Sequence, residues 1–83
     1  MRFTEEQYHE IDVLIQFNLE SLQEGIKVHS TAAPEMIAAT QRLHAKGLIT
    51  QPDGGYLTSL GHTAAEHAQA LKVIMTSTQL EES

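Results

Sequence analysis

Apolar side chains recur at three- and four-residue steps in three stretches of this chain, and two short strand-like runs lie between the second and the third. The first stretch carries Tyr8, Ile11, Ile15, Leu19 and Leu22 and predicts a helix over about residues 4–24 that buries this stripe. Thr4 and Gln7 stand at capping-box spacing, Phe3 and Tyr8 at the spacing of a hydrophobic staple, and Glu5 and Glu6 where the helix dipole favours negative charge. Gly25 is the natural stop, and the pattern fits either one helix or two joined near Asn18. Ile26 and Val28, two residues apart, make residues 25–29 a short strand or an extended connector.

The second stretch predicts a helix over about residues 33–46, with Pro34 in its first turn, where a missing N–H costs nothing, and Ser30 or Thr31 as the cap. Its inward face is Ala32, Met36, Ala39, Thr40 and Leu43, its opposite face is Pro34, Ala38, Gln41 and Ala45, and Gly47 ends it. Residues 48–51 and 56–58 flank Pro52-Asp53-Gly54-Gly55, which reads as a hairpin over about residues 48–58. A third helix over about residues 60–77 aligns Leu60, Ala64, Ala68, Leu71, Met75 and Thr78, with His67 and Ile74 beside them, and residues 79–83 are expected to fray as an acidic tail. The expected fold is mainly α with a small β-hairpin, one domain over residues 1–78, in which Leu43, Leu48, Leu57 and Leu71 converge on a single interior.

Composition narrows the setting. Eighty-three residues are too few to divide into two cores, and a self-association surface would add buried apolar area to a domain of this size. The absence of cysteine excludes a disulfide framework and thiolate zinc sites. No apolar run is long enough to cross a bilayer, and residues 1–6 lack the apolar stretch of a secretion signal, so a cytoplasmic protein without membrane contact is expected. The net charge of −6 is uneven: Arg2 faces six carboxylates within residues 1–26, and only residues 27–50, with Lys27, Arg42 and Lys46 against Glu35, lean basic.

The segment Arg42-Leu43, Lys46-Gly47-Leu48-Ile49, Leu57-Thr58, Gly61 and Ala64 resembles, in order, the end of a winged helix-turn-helix domain. The whole chain also resembles a family of short bacterial proteins of uncharacterised role. The first resemblance implies a winged-helix fold with a recognition helix at residues 34–46 and a wing at the hairpin, and the second implies a cytoplasmic bacterial setting. One departure stands out: the nine residues from Gly25 to Ala33 replace the three- or four-residue turn that normally precedes the recognition helix.

If the resemblance carries DNA binding, Arg42 would read guanine, Gln41 adenine, and Lys27 or Lys46 would meet phosphates. Phosphate neutralisation supplies much of such affinity, and five Lys and Arg in a chain of net charge −6, with Asp53 at the wing tip, oppose it. The favoured expectation is therefore a non-enzymatic module for protein interaction or self-association, a homodimer included, with Ala38, Gln41, Arg42 and Ala45 as the candidate interface. An atypical winged-helix regulator is the alternative.

Five histidines raise the question of a metal, but His62 and His67 are five residues apart and fall on different sides of a helix, and His62 with Glu66 reads as a solvated pair. No cysteine nucleophile, phosphate-binding glycine loop or framed carboxylate pair is legible, so neither an enzyme nor a cofactor is expected.

Overall fold

Thr4 and Gln7 close the expected capping box, each side chain bonding the other's backbone N–H at 3.1 and 2.9 Å. Phe3 and Tyr8 meet edge to face with ring centroids 6.0 Å apart. From this start, in a computed structural model that describes residues 2–21 and 23–77, the chain forms α1 (Glu5–Ile15), β1 (Ile26–Lys27), α2 (Pro34–Ala45), β2 (Ile49–Gln51), β3 (Gly54–Leu57) and α3 (Ser59–Thr76). The described residues are thus mainly α with a small antiparallel sheet in the order β1-β3-β2.

Two expectations for the first helix are corrected. It stops at Ile15 rather than near residue 24, because Gln69 of α3 donates its side-chain amide to the carbonyls of Leu14, Ile15 and Phe17 and so satisfies the exit of the helix from outside. Asn18 then organises a turn by accepting from the Glu20 N–H at 2.9 Å. The buried face is also different: Glu10, Val13, Leu14 and Phe17 are buried, while Tyr8 is exposed and Ile11 and Ile15 lie at the margin. A carboxylate in the middle of the inward face displaced the apolar pattern from the true one. Leu22 lies outside the described residues.

Helix α2 follows the expected pattern, with Ala39, Thr40 and Leu43 buried and Pro34 in its first turn, although Ala33 rather than Ser30 or Thr31 occupies the cap and bonds no N–H through its side chain. Its end is a Schellman arrangement: Leu48 N–H reaches the Leu43 carbonyl and Gly47 N–H the His44 carbonyl, both at 3.0 Å, with Gly47 at φ 81°. The hairpin forms around Pro52 and Asp53, and its register shifts between Ile49 and Gln51. At that irregularity the Thr50 hydroxyl accepts from Tyr56 N–H at 2.9 Å. The expected two-stranded ribbon gains a third member, since Ile26 and Lys27 pair with Gly55 and Gly54.

The interior is Val13, Leu14, Phe17, Ala39, Leu43, Ile49 and Ala65, with Leu48 and Leu57 partly buried against it. Leu71 is not part of it. Helix α3 buries Gly61 and Ala65, while the expected stripe from Leu60 to Met75 lies roughly 100° away around the axis at 100° per residue. Gly61 explains the choice of face: a Cβ there would collide with the Leu48 carbonyl, so the smallest residue marks the line of closest approach. Thr78 and the expected tail lie outside the described residues.

Candidate functional site

Two of the expected site residues, Arg42 and Lys46, lie one turn apart at the end of α2 and are already engaged. Glu10, projecting from α1, accepts from Arg42 Nε at 2.8 Å and from Lys46 Nζ, while Arg42 Nη2 donates to the Glu6 carbonyl at 3.1 Å. The spacing of Arg42 and Lys46, one helical turn apart, lets both cations converge on one carboxylate whose side chain is 8% exposed. Burial alone would push the Glu10 carboxyl up, yet the hydrogen bonds and positive charges of Lys46 and Arg42 outweigh it and hold the group below its ordinary value. The result is an interhelix tie rather than a free basic patch.

The remaining candidates are scattered. Gln41 is exposed and, with Val28, Ile37, Thr40, Pro52 and Asp53, lines an open cleft between α2 and the hairpin turn. Ala45 is exposed and Ala38 half-buried, and Lys27 is exposed on β1. No described group of three or more His, Asp and Glu side chains could hold a metal ion. The expected pair of His62 Nδ1 and Glu66 forms at 3.7 Å with both side chains reached by solvent. Among the described residues, no helix is long and apolar enough to cross a membrane.

A larger feature lies elsewhere. Of the eight large hydrophobic side chains exposed among the described residues, five belong to α3: Leu60, Leu71, Val73, Ile74 and Met75. Every residue from Ala70 to Thr76 is exposed, so the last two turns of α3 project past the body with Leu71 at 53% and Met75 at 74%. At helical spacing, Leu60, His67, Leu71, Ile74 and Met75 form a continuous outward stripe, flanked by Ala64 and Ala68, which pack against the core. Apolar periodicity correctly located this stripe but assigned it to the interior. Its outward position follows from Gly61, Ala65 and Gln69, whose small size and amide suit them to close contact with Leu48 and with the end of α1. Glu10 also went unrecognised, although the run Glu10, Val13, Leu14 and Phe17 has helical spacing and its charge could have been matched to Arg42 and Lys46.

Residues 1–76 match the model of one protein family, described as a family of unknown function (DUF5669). No curated protein and no solved structure matches the chain.

Proposed function

The chain belongs to DUF5669, a family of unknown function, and we propose that it is a small non-enzymatic, winged-helix-like module that self-associates through α3. The observation that carries this reading is the apolar stripe from Leu60 to Met75, left without a partner within the described chain. Contiguous exposed apolar surface of this kind marks sites of association. The winged-helix reading is supported by the order α2, hairpin, α3 and by the pairing of β1 with β3, which adds the segment before α2 to the ribbon after it.

The apolar surface available supports at most a weak, reversible association. Side chains such as Leu71, Ile74 and Met75 contribute about 1.5–3 kcal/mol each when fully buried from full exposure, and bringing two molecules together costs about 4–15 kcal/mol. Three half-exposed side chains from each copy contribute about 5–9 kcal/mol together and offset only the lower part of that cost, so the expected dimer is weak and exchanges with monomer at roughly submillimolar to millimolar concentration. Sedimentation across that range tests it: a mass that rises with concentration, and falls to the monomer in Leu71→Glu, is expected. A strict monomer at the highest concentration would remove the proposal.

The DNA-binding alternative draws support from the exposed Gln41 on the helix before the hairpin and from Lys27 nearby. Against it stand the commitment of Arg42 and Lys46 to Glu10 and the Asp53 carboxylate at the turn. Fluorescence anisotropy with mixed duplex DNA at low salt is expected to show no binding; a steep salt dependence lost in Arg42→Ala would favour the alternative.

A further inference from the structure

We infer that the cleft between α2 and the hairpin turn binds an arginine side chain presented by another protein. The inference is independent of α3 and of self-association. The cleft encloses about 360 Å³. Its walls are apolar, built from Val28, Ile37 and Pro52, and at its base lies Thr40, 1% exposed, whose hydroxyl donates to the Met36 carbonyl at 2.7 Å. Gln41 and Asp53 complete the lining; both are exposed, and neither side chain bonds any described residue. The shape is set within the chain itself. Val28 N–H bonds the Asp53 carbonyl at 2.8 Å and fixes the turn to the end of β1, while Ile37, Thr40 and Gln41 share one face of α2.

Charge decides what fits. Asp53 is the only formal charge among the lining residues, and no Lys or Arg accompanies it there. Arg42 and Lys46 are committed to Glu10, and the alternation along β1 turns Lys27 away from the face that Ile26 presents. A neutral apolar group in the cleft would strip water from the Asp53 carboxylate without replacing it. An anion would be repelled by Asp53 and by a chain of net charge −6. Arginine suits both halves of the site: its methylene stem lies along Val28, Ile37 and Pro52, and its guanidinium donates to the Asp53 carboxylate and the Gln41 carbonyl. A fork of several donors serves two acceptors better than the point charge of a lysine. The cleft is too open to bury most of a free small ligand, and it accommodates a side chain whose backbone stays outside on its own protein.

The test is a nuclear magnetic resonance titration of the isotope-labelled chain with the blocked peptide Gly-Ser-Arg-Ser-Gly, in parallel with peptides carrying citrulline or lysine in place of arginine. Citrulline keeps the shape of arginine and removes its charge. Saturable shifts are expected at the amides of Val28, Ile37, Gln41 and Asp53, and none along residues 70–76. The citrulline peptide, and the variant Asp53→Asn with the arginine peptide, should each bind about fivefold more weakly, the equivalent of one solvent-reached ion pair of about 1 kcal/mol. Asp53→Asn keeps the main-chain carbonyl that Val28 uses, so the fold is retained. Equal binding of the citrulline peptide, or no saturable shift at these amides with millimolar arginine peptide, would overturn the inference. A lysine peptide as tight as the arginine one would overturn the choice of arginine. Butylguanidinium that binds where the peptide does not would assign the cleft to a free small cation, and shifts at these amides on concentrating the chain alone would assign it to a second copy; either overturns the partner named here.

Discussion

Glu10 and Arg42, thirty-two residues apart in sequence, meet at 2.8 Å and fasten α1 to α2. Because Lys46 shares the same carboxylate, the two cations that would best serve a recognition helix hold the fold together instead. The structural role and the DNA-binding role compete for the same side chains.

Substituting this carboxylate should expose the tie in a pH profile. Glu10 titrates below its ordinary value of 4.5, so its contribution is fully present above about pH 5 and is lost as the pH falls through the lower folded value. Glu10→Gln should cost about 1–2 kcal/mol at neutral pH, a figure kept small because solvent reaches Arg42 and Lys46. Urea denaturation from pH 7 down to pH 3 checks it: the gap between wild type and variant should narrow with acid, and a gap independent of pH would refute the assignment.

Gly47 and Gly61 should respond differently to the same change. At Gly61 a methyl group strikes the Leu48 carbonyl, which also accepts from Thr58 N–H, so Gly61→Ala must displace α3 and should cost about 2–4 kcal/mol. At Gly47 no atom lies within 4 Å of the added Cβ, and only the left-handed backbone resists, at about 1–2 kcal/mol. Thermal melting of the two variants should rank them in that order.

Leucines 43 and 71 make a second pair of opposites. Leu43 is fully buried, and Leu43→Ala should cost about 2–5 kcal/mol, enough to unfold much of a domain this small. Leu71→Ala should change monomer stability by less than about 0.5 kcal/mol while weakening the dimer. Denaturation at low protein concentration, where the dimer is absent, separates the two effects.

Replacing the Gln69 amide should loosen the exit of α1. Gln69→Leu keeps the bulk but abandons three carbonyls, with an expected cost of about 1–2 kcal/mol. Hydrogen exchange should accelerate at the amides whose helical bonds end α1, and leave those of α2 unchanged.

Sequence patterns located the helix starts, the Gly47 stop and the hairpin because each is decided within a few residues: a cap, a left-handed glycine, a Pro52-Asp53 turn. The buried face of α2 was equally legible, since Ala39 and Leu43 are apolar and Thr40 bonds its own helix at the Met36 carbonyl. What escaped depended on partners distant in sequence. The end of α1 is set by Gln69, fifty-odd residues onward, and its inward face contains a carboxylate that only Arg42 and Lys46 make tolerable. Helix α3 turned its leucines outward because Gly61 and Ala65 allow the closer approach, a steric choice invisible to a count of apolar residues. From α2 alone, Ala38, Gln41, Arg42 and Ala45 read as one outer face; the Glu10 carboxylate that engages Arg42 and the apolar stripe of α3 both lie on other elements.

The pairing of β1 with β3 carries a consequence for biogenesis. Val28 N–H bonds the Asp53 carbonyl, and Ile26 and Lys27 find their partners only at Gly55 and Gly54. As the nascent polypeptide leaves the ribosome, its early strand must wait, unmatched, until the glycine pair emerges about twenty-eight residues later. Premature termination within α2 would therefore leave an adhesive fragment rather than a smaller folded protein.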